Sequence, residues 1–315
     1  MIGRWAIIVA GIFACGCSHM PRLVEEPLLH NPFPQVTKVA VAPFFNLTAE
    51  PTIDGRQFAL GYFNELQLIP GYEVIPVGVV EQTMQARQLT LNSPEEAQRL
   101  AQALGADAVV IGAVTDFSPY YPPRCAMQVE WYAADPSFQP ILPGYGLPLG
   151  TAQEKFMPHP LIFESRFAEG RQLYARATPG GVPVMAASAV EPAAGAAADS
   201  PLAAAPLCES AAPGASPGAV VADGGVIAAM PTGVPTVEPI MRHTRAYNGH
   251  DPDFARALAD YYVFREDARF GGWQSYLQRS DDFIRFCCYT HILEMLSLRG
   301  GVMETRVVWD WPRNR

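Results

Sequence analysis

The apolar and polar positions of this chain change period several times, and each change marks an element. Val36 to Phe44 (VTKVAVAPF) alternates and is rich in β-branched residues, which predicts a strand entering a core. Pro43 ends it, and Asn46 to Thr52 reads as a loop. From Ile53 to Leu68 the period lengthens. Phe58, Ala59, Tyr62, Phe63 and Leu66 fall on one helical face, leaving Arg56, Asn64 and Gln67 to solvent, until Pro70-Gly71 stops the helix. Tyr72 to Pro76 (YEVIP) is a short strand and Val79 to Leu89 a second, weaker helix. Ser93-Pro94-Glu95-Glu96 combines a capping serine, a proline at the first helical position and a glutamate spaced to reach back to the cap. The helix it opens buries Ala97, Leu100, Ala101 and Leu104, and Gly105 gives it a left-handed exit. Ala106 to Phe117 (ADAVVIGAVTDF) has the near-continuous aliphatic character of a central strand covered on both faces, and Met127 to Ala133 predicts one more. The order is that of an α/β fold, a two-layer or three-layer sheet with flanking helices, whose first part spans residues 36–133.

The period is then lost. Residues 134–178 are rich in Pro and aromatics without a repeat, and are read as irregular. Residues 179–237 contain no aromatic, no Lys or Arg, and four acidic groups among Ala, Pro, Gly and Ser. Such a segment has too little large apolar surface to offset the entropy of ordering it, which predicts a disordered insertion. Order resumes at 238–301. Ile240 to Ala246 fits a strand; Asp251-Pro252 caps a helix burying Phe254, Ala255, Leu258, Ala259 and Tyr262; and Gly271-Gly272 breaks it. Ser280-Asp281-Asp282 opens another helix with acids in its first turn, whose apolar residues include Phe283, Ile284, Cys287, Ile292, Met295 and Leu296. Residues 302–315 form a tail, with an edge strand at Thr305 to Trp309 before a basic end.

The first residues have a different design. Arg4 supplies a positive start, Trp5 to Phe13 an apolar run, and small residues then lead into Cys15-Gly16-Cys17, the layout of a secretory signal over residues 1–16. The run is too short to span a hydrocarbon core of roughly 30 Å. It resembles the lipobox of bacterial lipoproteins, in which a small residue precedes a cysteine that is acylated and becomes the new N-terminus. Gly16 before Cys17 makes Cys17 the favoured site, with Cys15 the alternative register. The resemblance implies a membrane anchor made of acyl chains; since aspartate follows neither cysteine, it implies the outer membrane, with the chain facing the periplasm. Residues 17–35, with four prolines, read as a flexible tether, with a root-mean-square reach of about 23 Å if unstructured.

Composition narrows the partners. The chain has 315 residues and a net charge of −9, with no basic run able to track phosphates, which argues against nucleic acid. Besides Cys15 and Cys17, cysteines lie at 125, 208, 287 and 288. In an oxidising compartment a bridge from Cys125 to Cys287 or Cys288 and free buried thiols are both open readings.

Lys38-Val-Ala-Val-Ala-Pro-Phe44, a helix, Tyr72-Glu-Val-Ile75, and Leu104-Gly-Ala-Asp-Ala-Val-Val-Ile-Gly112 followed by Ala-Val-Thr115 together resemble the lipoproteins related to the curli-secretion protein CsgG and the penicillin-binding-protein activator LpoB. Members carry a VAVxPF strand and an lGaDxvvxGxvt strand. The resemblance covers residues 38 to 117 and implies a CsgG/LpoB-like fold. It also implies a non-enzymatic adaptor or assembly factor with an envelope protein as partner, or a homo-oligomer. A secretion-channel subunit is the competing class. Neither 134–178 nor 179–237 has the alternation a barrel strand requires, which argues against a pore.

Candidate chemistry is sparse. The chain holds no GxSxG, HExxH or CxxC motif and no phosphate loop, so no catalytic, cofactor or metal residue is assigned. Gly144 to Gly150 reads as a turn. His243, His250, Asp251 and Asp253 lack zinc spacing, and a hydrolase built on them is the third alternative. His291 lies within helical reach of Cys287 and Cys288, where a thiol could meet imidazole, though a core or edge histidine is the stronger reading. The aromatic set from Tyr261 to Tyr289 is too dense for all of it to face inward on two helices, and Phe270, Trp273 and Tyr276 are the candidate partner-binding residues.

Overall fold

The computed structural model describes residues 21–177, 238–265 and 270–310. The elements, in chain order, are β1 (Arg22–Leu29), β2 (Lys38–Val41), β3 (Phe45–Asn46), α1 (Gly55–Leu66), β4 (Glu73–Ile75), α2 (Val77–Arg87), α3 (Pro94–Leu104), β5 (Ala108–Ser118), β6 (Arg124–Ala133), α4 (His159–Ala177), β7 (Met241–Asn248), α5 (Pro252–Phe264), α6 (Ser280–Ser297) and β8 (Val302–Asp310). Short 3₁₀ turns at Glu154–Phe156 and Trp273–Leu277 precede α4 and α6. Residues 1–16, read as a signal, both candidate acylation cysteines, residues 179–237, read as an insertion, with Cys208, and the basic end after Asp310 lie outside the described residues.

The main sheet has the order β4-β2-β5-β6-β7, with β3 also on β5. β2 runs parallel to β4 and β5, whereas β6 and β7 follow antiparallel, with Val110 opposite Trp131 and Val129 opposite His243. Alternation sorts the strand residues onto two faces. Val39, Val41, Ala108, Val110, Met127, Val129 and Trp131 pack with Phe58, Tyr62, Ile284 and Cys287 of α1 and α6. Ala40, Val109 and Tyr132 point the other way, onto Val80 of α2 and Leu100 of α3. The fold is therefore mixed α/β, with helices on both faces of the sheet.

Three residues of the strand motifs have clear physical work. Asp107 Oδ2 accepts from the Thr37 and Lys38 amides at 2.9 and 2.8 Å and from Thr37 Oγ1 at 3.0 Å, which pins the start of β2 beside β5. Gly112 makes room for the Phe44 ring, since a Cβ there would lie 2.3 Å from it. Gly105 closes α3 at φ 60°. At the other end of α3, Ser93 Oγ accepts from the Glu96 amide at 3.4 Å. The Glu96 carboxylate, however, takes the Asn92 amide at 3.1 Å instead of the Ser93 amide that a reciprocal cap would use.

Two segments differ from the sequence reading. The tether assigned to residues 17–35 becomes a strand at Arg22, because β1 pairs antiparallel with β8 along its whole length. Val24, the third residue of β1, is buried and lies opposite Val308. The irregular segment 134–178 contains α4. Only Ser165 is buried along the part of that helix whose side chains are described, and its large apolar residues Phe163, Phe167 and Leu173 stay exposed, so no core-facing stripe announces it. Among the described residues no helix is long and apolar enough to cross a membrane.

Candidate functional site

The aromatic residues of the second half are positioned by two helices and the turn between them. Asp251 caps α5 by accepting from the Asp253 amide at 2.9 Å, and Pro252 occupies the first helical position. This orients Phe254, Leu258 and Tyr261 inward. Tyr261 meets Phe286 at 5.2 Å and Tyr289 at 4.6 Å between ring centroids, and Phe254 meets Phe286 at 4.9 Å. Such pairs add about 0.5–1.5 kcal/mol each beyond their burial.

The three candidate partner-binding residues separate within this frame. Tyr276 is only 3% exposed, edge-on to Tyr261 and Tyr262 at 6.2 and 6.0 Å, and is a core residue. Its assignment to a binding surface is corrected by that packing: the 3₁₀ turn rotates it under α5. Trp273 is half-buried against the same core. Phe270 is 85% exposed. Two of the three thus keep outward area.

Beneath the aromatic layer lies a buried charge. Glu65 on α1 accepts from Arg285 Nε at 2.6 Å, from Arg265 at 3.4 Å and from the Tyr261 hydroxyl at 3.2 Å. A buried carboxylate is tolerated only when paired and hydrogen-bonded, and these donors join α1 to α5 and α6.

The histidines do not converge on a cleft. His243 Nε2 lies 3.2 Å from Glu294 Oε2, which also accepts from Arg245 at 3.1 Å and Tyr247 at 3.2 Å. His250 engages Asn248 through its backbone amide, and Asp251 is committed to its cap. Clefts of about 200 and 660 Å³ open beside α3 and beside Phe33, Phe138 and Tyr145; neither is lined by histidine. Among the described residues no group of three or more His, Cys, Asp or Glu side chains is placed to hold a metal. Gly144 and Gly146, both at positive φ, turn against the end of α6, where Arg299 donates to the Ile141 and Met295 carbonyls at 2.9 Å. Burial pulls Arg299 down to about 10.

His291 does not meet a thiol in this arrangement; its Nε2 faces the His243 carbonyl at 3.2 Å. Cys125, Cys287 and Cys288 are buried and form no disulfide. Burial, then the hydrogen bond with Cys125, pushes the Cys287 thiol up, and Cys288 is raised mainly by burial. Both are held as unreactive neutral thiols.

Three exposed apolar places were not found from the sequence. Tyr120 and Tyr121 stand at the turn joining β5 and β6, 81% and 72% exposed. On α4, Phe163 and Phe167 stack at 6.1 Å with an interplanar angle of 11°. On the ribbon, Leu23 faces Trp309 across the strands. The i,i+4 spacing of the two phenylalanines was the only local signal among these.

No family model matches the chain, and no curated protein matches it. Among solved structures it is similar to lipoprotein GNA1162 from Neisseria meningitidis, at 21% identity and a TM-score of 0.26, over 31% of this chain and 72% of that one. It is also similar to the LpoB C-terminal domain from Salmonella enterica, at 15% identity and a TM-score of 0.25, over 31% of this chain and 73% of that one. A PelC dodecamer from Paraburkholderia phytofirmans matches at 17% identity and a TM-score of 0.21, over 36% of this chain and 71% of that one.

Proposed function

We propose that this protein is a lipid-anchored, non-enzymatic adaptor or assembly factor of the bacterial cell envelope. In this reading Cys17 carries the acyl chains at the outer membrane, and the α/β domain faces the periplasm. The observation that carries the reading is the juxtaposition of an acylation-type leader with a folded domain whose first strand begins at Arg22, five positions after Cys17. Several acyl chains at one cysteine, each buried methylene contributing about 0.8 kcal/mol, would hold the chain at a membrane surface durably. Partner contact is assigned to Phe270 and the outward part of Trp273, since exposed aromatics commonly dominate binding at the centre of a patch.

The test is intact mass and lipid labelling of membrane-extracted protein, for wild type and for Cys17→Ala and Cys15→Ala, with cross-linked partners recovered in parallel. Acylation lost only in Cys17→Ala, together with an envelope protein whose recovery falls in Phe270→Ser, is the expected result. An unacylated, freely soluble wild type would sink the reading.

A further inference from the structure

The β1–β8 ribbon has an inner and an outer face. Val24 is buried, Arg22 pairs with Asp260 of α5 at 3.0 Å, and the Arg306 guanidinium lies 5.4 Å from the Phe264 ring centroid, so this face is committed to the domain. The opposite face alternates with it and carries Leu23, 47% exposed, Val307, 51%, and Trp309, 60%. Leu23 lies directly opposite Trp309, at the end where β1 begins and β8 finishes. Glu25, opposite Val307, stands one step further from that end on the same face.

We infer that Leu23, Val307 and Trp309 rest in the interfacial layer of an anionic phospholipid membrane. The inference rests on the lipid-anchor reading above, and three observations support it. From Cys17 to Arg22 an extended chain reaches no more than about 18 Å, so acyl chains on Cys17 hold this end of the ribbon close to the bilayer. An indole has an apolar body and a polar N–H, which suits it to the headgroup level. The sequence after Asp310 continues Trp311-Pro312-Arg313-Asn314-Arg315, an indole and two guanidiniums whose chemistry suits lipid headgroups and phosphates. Three apolar side chains are a small patch beside the roughly 800 Å² per partner that a stable protein interface buries. They are enough to orient a domain that acyl chains already retain. The ribbon then sets which face of the sheet and helices looks away from the membrane.

The experiment uses membrane-extracted, full-length-expressed protein in vesicles of phosphatidylethanolamine and phosphatidylglycerol, with and without bromine on the acyl chains near the headgroup. Subtracting the emission of Trp309→Phe from that of wild type isolates Trp309 from the other indoles. The expected result is that this difference emission loses most of its intensity in brominated vesicles. Leu23→Glu, on an exposed position that does not threaten folding, should weaken the quenching. Quenching should also fall when phosphatidylglycerol is replaced by phosphatidylcholine. Intact mass of the same sample reports the acyl group separately. An acylated protein with unquenched Trp309 overturns the ribbon contact alone. An unacylated protein whose Trp309 is quenched overturns the anchor reading and leaves the contact standing. Unquenched Trp309 that becomes shielded from acrylamide as protein concentration rises overturns the inference in favour of contact with a second copy of the chain.

Discussion

His291 sits wholly inside the core on α6. Its Nε2 points at the His243 carbonyl, so that nitrogen carries the proton, and Nδ1 has no hydrogen-bond partner. Charging this ring would place a cation in an apolar site with the His243 ring 4.7 Å away. Burial first, and His243 next, therefore hold its pKa well below the ordinary value of 6.5. The folded state resists a proton that the unfolded chain accepts, so the stability attached to this residue is complete above pH 6.5 and is lost as pH falls below it. From this group alone the loss approaches about 1.4 kcal/mol per pH unit until the folded-state value is reached. Carboxylates with lowered pKa values, such as Asp107, act at more acid pH, and Glu26 and Asp260, raised mainly by burial, change stability in the opposite sense, so a fall between about pH 7.5 and 5 reports on the imidazole. Urea midpoints of wild type should fall across that interval, and His291→Gln, which keeps a donor for the His243 carbonyl, should flatten the fall. Parallel profiles would show that His291 is not responsible. No catalytic duty is needed to explain this histidine.

At the scale of elements, the strand motifs are packing devices. β5 can lie flat under Phe44 only because residue 112 has no side chain. Gly112→Ala should cost about 1–3 kcal/mol through overpacking, measured by denaturant unfolding. Adding Phe44→Leu should recover part of that cost, and a strictly additive double mutant would mean that the ring and the glycine are not coupled. The same elements explain what the sequence could reveal. β2, β5, α1 and α3 were legible because their period, caps and stop signals lie within a dozen residues of one another. β1 was not, because what makes it a strand is β8, whose register partner for Leu23 is Trp309. α4 was not, because the described part of it buries Ser165 alone and so lacks a 3.6-residue stripe. Tyr276 was misplaced for a related reason: a 3₁₀ turn has a tighter period than the helices on either side of it.

For the whole molecule, one compact unit is formed by residues 1–174 and 235–315, with residues 175–234 a separate unit. The sheet, both helical layers and the ribbon are all drawn from the first, and their buried side chains find their neighbours within it. Composition alone sets 179–237 apart, and α/β layering was readable from the residues on either side of it, whereas the outward aromatic positions were not. Solvent exposure of a single ring depends on every element around it. On this division the insertion is expected to be dispensable for stability. Replacing residues 180–236 with a Gly/Ser linker of about 20 residues, whose root-mean-square reach is about 25 Å, shortens the loop threefold. Loop-closure entropy then predicts a gain of no more than about 1 kcal/mol. The expected outcome is a single cooperative unfolding transition with its midpoint unchanged or slightly raised. A loss of several kcal/mol, or a transition split in two, would show that residues 180–236 supply contacts the sheet requires, and that the α/β unit is not self-sufficient.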